Sequence, residues 1–277
     1  MTAVNILTKM HVSRKLAFIS ASKPIIGAAA TTMLQPTTNM KTRLFFDRSF
    51  CHSSMSLGSL PTRLTASIPR SPRVGSPYLI ICSIGNPEPE YEGTRHNVGH
   101  FVVEKLRQYY GFSDWYNNDL EKCKCALPTS SSTSPDLPVL FYKSGTYMNV
   151  SGAPLKKNYN LLKQYTESKG YVPVLVIVND ELGFKVGKVQ LRKRKAGIRG
   201  HNGLRSIKQQ LGDGNFLTIN VGVDRCQSKD SRDVAEYVLD KTPREDLRRI
   251  EAECIPKIVT YIDEMLEGKH INELHNP

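Results

Sequence analysis

From residue 78 onward this chain alternates short apolar runs with amphipathic stretches, and two of the runs, 78–84 and 172–178, have almost no polar face. A strand of that kind has to be covered on both sides. Residues 139–143 and 216–223 read as further strands, and helical spacing falls between them at 97–110, 151–164, 201–211 and 231–239. Phe101, Val102 and Leu106 share one face of the first of these helices. The order is that of an α/β domain, a central sheet covered by helices. With 277 residues the chain is long enough to bury a substantial core without disulfides or metals.

The last stretch, 243–266, opens with a capping-box pattern: Thr242 as N-cap, Pro243 in the first helical position and Glu245 in the third. Leu247, Ile250, Cys254, Ile258 and Met265 form its apolar stripe, and Pro256 predicts a kink. It reads as a covering helix. Residues 128–138 (PTSSSTSPDLP) have loop composition and extend a turn between two strands. The six cysteines contain no C-x-x-C; Cys123 and Cys125 alternate as same-face strand residues do. No further ligands stand at metal-site spacing from that pair, so the expectation is reduced structural thiols, with neither metal nor cofactor.

The formal charge of +12 is unevenly placed. Residues 1–76 carry ten basic side chains and one acid, Asp47, leaving 28 basic and 25 acidic groups in residues 77–277. The overall charge therefore says little about the partners of the body; only local clustering does. The leader is rich in Ser, Thr and spaced Arg, which is the composition of an organelle transit peptide. Arg-bearing segments at 12–19 and 41–50 favour a mitochondrial destination over a plastid, and Met10, Met33, Met40 or Met55 would permit a shorter, unimported cytosolic form. No uncharged apolar run approaches the roughly 18 residues of a membrane span, and the mean hydropathy is −0.36; no membrane association is expected.

Several of the apolar runs end on sharply polar residues. The first leads into Gly85-Asn86-Pro87, the third into Asn179-Asp180-Glu181, and 139–143 leads through a short turn to Tyr147-Met148-Asn149. In open α/β sheets ligand crevices form at the carboxyl ends of strands, which makes Asn86, Asn149 and Asp180 candidates for one site. His96 stands at a helix entry; beside a carboxylate, with Asp180 as the candidate, it becomes a general base poised near neutrality. There is no G-x-S-x-G elbow, no H-E-x-x-H and no phosphate loop. Water is then the economical nucleophile, with His96 taking its proton, Asp180 stabilising the imidazolium and an Asn amide donating to the oxyanion. An activated acyl bond, such as an ester, suits that set. A basic run including Lys185, Lys188, Arg192, Lys193, Arg194, Lys195, Arg199, Arg205 and Lys208 follows directly and surrounds Gly200-His201-Asn202-Gly203, whose helix N-terminus offers donors to an anion. A phosphate-rich substrate accounts for both features.

Five ordered blocks now stand out: Ile84-Gly85-Asn86-Pro87; Tyr91 with Gly93-Thr94-Arg95-His96-Asn97-Val98-Gly99; Tyr147-Met148-Asn149-Val150-Ser151-Gly152; Asn179-Asp180-Glu181-Leu182; and Arg199-Gly200-His201-Asn202-Gly203-Leu204. Together they resemble the bacterial-type peptidyl-tRNA hydrolase family over about residues 78–265. The resemblance implies a single domain with a mixed, largely parallel sheet, monomeric and without metal, acting on peptidyl-tRNA with no obligate protein partner. It implies His96 as catalytic base, Asp180 as its orienting acid, and Asn86 in telling blocked from free aminoacyl-tRNA. Tyr91, Tyr147, Asn149 and Asn202 are implied at the peptidyl-adenosine end. Arg192, Lys193, Arg194, Lys195, Arg199 and Arg225 are expected near the tRNA backbone, Arg225 because 223–226 departs from the family run there. Glu88 and His100 depart too, standing where members often carry Gly and Phe. Two other readings are an organelle RNA-binding or intron-splicing factor on the same scaffold, and a small-molecule α/β hydrolase.

Overall fold

The computed structural model describes residues 75–271 apart from 118–119, 121, 193–197, 199, 213–214 and 229. The leader up to residue 74, and Lys193, Arg194, Lys195 and Arg199 of the basic run, lie outside the described residues. The strands are β1 (Pro77–Ser83), β2 (Tyr116–Asn117), β3 (Cys123–Ala126), β4 (Val139–Ser144), β5 (Val172–Glu181), β6 (Val189–Arg192) and β7 (Leu217–Gly222). The α-helices are α1 (Val98–Tyr110), α2 (Gly152–Ser168), α3 (Asn202–Leu211), α4 (Ser231–Leu239) and α5 (Arg244–Leu266), with one-turn 3-10 segments at Arg95–Asn97 and Met148–Val150.

All seven strands form one sheet in the order β2-β3-β4-β1-β5-β7-β6. The central four are parallel, and antiparallel pairs flank them: β2 and β3 beyond β4 at one edge, β6 beside β7 at the other. The alternation of β1 explains why its sequence has no polar face. Leu79 and Ile81 enter a core shared with Val102, Leu106 and Ile258, while Ile80 and Cys82 enter the opposite core with Leu155 and Ile207. Helices α1 and α5 thus cover one face, and α2 and α3 the other. None of the described helices is long and apolar enough to cross a membrane.

Three elements differ from the sequence reading. β5 does not stop at Val178; it runs on through Asn179, Asp180 and Glu181 because β7 pairs with these residues, Asp180 facing Val221 in register. Strand β6 is hidden in sequence because its alternation, Val189 and Leu191 against Gln190 and Arg192, sits in a basic run. The expected capping box at α5 does not form. Thr242 donates its N–H to Gly93 O and turns its side chain inward, where Oγ1 has no partner among the described residues. Pro243 takes the N-cap position instead, and the helix continues through Pro256. Glu245 and Asp246 still favour its first turn through the helix dipole.

One close approach sets the geometry of everything at the carboxyl end of the sheet. α1 begins directly on the backbone of β5, and a Cβ on Gly99 would lie 2.5 Å from Val178 O. Only glycine permits this contact. We expect Gly99→Ala to lift α1 from β5 and cost about 1–3 kcal/mol, read as a lower urea midpoint with an unchanged m-value.

Candidate active site

Because α1 sits so close to β5, the 3-10 segment before it brings His96 to Asp180. Nδ1 of His96 lies 2.8 Å from Asp180 Oδ1, although the residues are 84 positions apart in sequence. Asp180 is itself rigid, being part of a paired strand, and only 3% exposed. The segment carrying His96 is further held by α4: Arg95 donates to Tyr237 O at 3.1 Å, and its guanidinium lies 4.1 Å over the Tyr237 ring. The stacking and the hydrogen bond both tie this segment to α4.

The same carboxylate oxygen accepts from a second imidazole. His201 Nε2 stands 2.9 Å from Asp180 Oδ1, while His201 Nδ1 accepts the N–H of Leu204 at 3.2 Å and so caps α3. The capping bond fixes the tautomer: Nδ1 must be the bare nitrogen, so Nε2 carries the hydrogen given to Asp180. Burial opposes charge on Asp180, but the electrostatic attraction of the His96 and His201 rings and their hydrogen bonds hold its carboxyl well below the ordinary carboxylate range. For His96, burial opposes the protonated form, yet the Asp180 charge and hydrogen bond outweigh it and leave the pKa raised. With Asp180 ionised, Nδ1 of His96 is the donor and Nε2 carries the lone pair. The ligand-type atoms of the three side chains lie within 4.8 Å of one another. Two N–H donors on one anion account for that cluster.

Asn86 sits beside this group and is aligned by an amide clamp. Asn97 Oδ1 accepts the Asn86 N–H at 2.8 Å and Asn97 Nδ2 donates to Asn86 O at 2.9 Å. The Asn86 side-chain oxygen in turn accepts the N–H of Met148 at 2.9 Å. With Oδ1 committed there, the Asn86 amide presents its Nδ2 hydrogens to the cleft that it lines.

That cleft, of about 630 Å³, is lined by Asn86, His96, Asn149, Asp180, His201 and Asn202, and also by Arg192 and Arg225. The sequence candidates Asn86, His96, Asn149, Asp180 and Asn202 are thus brought together. Asn202 and Asn149 are exposed at its rim, and Asn202 Oδ1 accepts from Arg205. Arg192 lies 3.4 Å from Glu181, whereas Arg225 is exposed. Tyr91 and Tyr147 do not line the cleft; their rings meet edge to face at 6.2 Å, and Tyr147 is 52% exposed. Glu88 is taken up by Lys143 at 2.6 Å. His100 is in the core, 2.9 Å from Ser83 Oγ, where burial and then Lys143 and Lys124 push its pKa well below the ordinary value.

Sequence reasoning gave no role to Asn97 or His201. Both lie in the quoted blocks, and the only advance signal for His201 was its position at the predicted start of α3, where a side-chain acceptor is useful.

Residues 80–276 match the family profile described as peptidyl-tRNA hydrolase. A peptidyl-tRNA hydrolase of Rickettsia canadensis is 34% identical over 194 residues, covering 69% of this chain and 95% of the relative. A probable peptidyl-tRNA hydrolase of Schizosaccharomyces pombe is 31% identical over 186 residues, covering 67% and 82%. The crystal structure of peptidyl-tRNA hydrolase from Acinetobacter baumannii superposes with a TM-score of 0.56 at 25% identity, covering 74% of this chain and 97% of that one.

The two bonds of His201 can be separated. His201→Asn keeps a good N-cap but loses the ring that reaches Asp180, while His201→Ala loses both; we expect only the alanine variant to lose the roughly 1 kcal/mol of the cap in thermal unfolding. In both, Asp180 loses one donor and attracts the proton of His96 more strongly, so the His96 titration, followed by NMR, should move to higher pH.

Proposed function

The chain belongs to the peptidyl-tRNA hydrolase family, and from that premise we propose that it hydrolyses the ester between a peptide and the 3′ ribose of tRNA with His96 as the general base. The observation that carries the residue assignment is the 2.8 Å contact from His96 Nδ1 to Asp180 Oδ1, which leaves Nε2 as the basic nitrogen. A water held by Nε2 attacks the ester carbonyl carbon as its proton passes to the ring. The developing oxyanion takes hydrogen bonds from the Asn86 amide, whose orientation is preset by Met148 and Asn97. The tetrahedral intermediate then expels the ribose oxygen, which receives the proton back from His96. The products are a free peptide carboxyl and a tRNA with its 3′ hydroxyl restored.

Asp180 keeps the ring in the required tautomer and stabilises the imidazolium while it exists. In this reading Asn149 and Asn202, exposed on the cleft lining, contact the peptidyl-adenosine end, with Tyr147, two residues before Asn149, and the Tyr91 ring against it beside them. On it too, Arg192 and Arg225, both on the cleft lining, contact the RNA backbone, with Lys193, Arg194, Lys195 and Arg199 continuing the basic run of Arg192 in sequence. In the same reading the acid-poor leader directs the protein to the mitochondrion, and the enzyme acts as a monomer.

Release of peptide from peptidyl-tRNA in a single turnover should fall by about 10²–10⁴ in His96→Ala; equal inertness of the two proteins would favour RNA binding without catalysis. Activity should rise with pH as His96 loses its proton, with a midpoint above the ordinary imidazole value. In Asp180→Asn the raising influence is gone and burial remains, so the residual limb should move to lower pH. Two phosphate contacts would make KM rise about 10-fold between roughly 50 and 200 mM salt, with kcat little changed; a salt-insensitive KM would point to a small-molecule substrate.

A further inference from the structure

The lining of the cleft also includes Asn179 on β5 and Asn220 on β7. Asn179 and Asn220 are register partners on these neighbouring strands, so their side chains leave the same face of the sheet side by side. They are 1% and 2% exposed, both line the cleft, and the Oδ1 of each is buried without a hydrogen-bond partner among the described residues. Asn179 uses its Nδ2 to donate to Asp180 O at 2.7 Å, which fixes its amide with the oxygen unpaired. No described residue takes up the Asn220 amide nitrogen. Two buried acceptors without donors are costly, and their place in a ligand cleft calls for a reason.

The surroundings narrow the ligand. Val234, Val238 and Leu239 of α4 give the cleft apolar lining, and exposed Arg225 stands on the same lining. A flat apolar face, an edge rich in N–H and a nearby phosphate describe a nucleotide. The edge must bring two hydrogens for two acceptors, which an exocyclic amino group has and a peptide amide does not. Asparagine is also the side chain that pairs bidentately with adenine, accepting from N6 and donating to N7. Resting on the hydrolase reading above, we propose that Asn179 and Asn220 form a base-reading subsite that binds the exocyclic amino group of a nucleotide at the tRNA 3′ end. In the cytidine-cytidine-adenosine terminus common to tRNAs, the group is adenine N6 or cytosine N4.

The test deletes that amine from the substrate and its acceptor from the enzyme. Peptidyl-tRNA ending in purine riboside lacks adenine N6; uridine in place of the adjacent cytidine lacks cytosine N4. With the unaltered enzyme, one of these changes should raise KM by about 10-fold with kcat retained. In Asn220→Leu the same change should cost about 2-fold or less, because its partner has already gone. Asn220→Ser provides the same comparison should the leucine variant not fold, and the substrate changes alone need no variant. An unchanged KM with both altered substrates, or losses from enzyme and substrate changes that simply add, would overturn the subsite and leave the amides holding solvent. Failure of the unaltered enzyme to cleave ordinary peptidyl-tRNA would instead overturn the hydrolase reading, and the subsite with it.

Discussion

A single buried carboxylate oxygen, Oδ1 of Asp180, accepts from two imidazoles that arrive from different parts of the chain, and the rest of the site is organised about it. An ionised carboxylate in that position is tolerable only because both donors are present; either alone would leave a buried charge poorly compensated. This explains why the supporting architecture is so rigid. Asp180 lies within a hydrogen-bonded strand, His96 is fixed by the docking of α1 on β5, and His201 is fixed by its cap on α3. Each donor is therefore tied to a different helix, α1 from one face of the sheet and α3 from the other.

A similar economy governs Asn86. Its backbone is gripped by the Asn97 amide and its side-chain oxygen by Met148, so that the remaining amide hydrogens have one direction left. A flexible asparagine would have to be ordered during the reaction; this one is ordered by folding. The proposed base and the clamp that aligns the proposed oxyanion donor share a short stretch of chain, since Asn97 immediately follows His96. A displacement of that turn would disturb the base and the donor together.

Much of the fold was legible because each element carried its own local signal. The apolar run of β1, the helical spacing of α1 and the strand-end residues Asn86 and Asp180 are all visible without tertiary information. What could not be read depends on partners distant in sequence. β6 is too short and too charged to announce itself, and it exists because β7 offers it a ladder. Thr242 has the right neighbours for a cap, but its pairing with Gly93 overrides that local preference. His201 and Asn97 look like ordinary helix-entry residues, and their bonds to Asp180 and to Asn86 appear only after the strands are aligned. Asn179 was visible only as a strand-end polar residue and Asn220 not at all, because a shared orphan pair is a property of register.

The 84-residue separation between His96 and Asp180 also has a consequence for when the protein becomes competent. Nothing near either residue in sequence can substitute for the other, and β1 must already lie against β5 before they meet. Loops of that length close slowly compared with helix formation. On the proposed mechanism, a polypeptide still emerging from a ribosome carries the reacting groups without the geometry that joins them. Chemistry by that mechanism waits for β1 and β5 to pair.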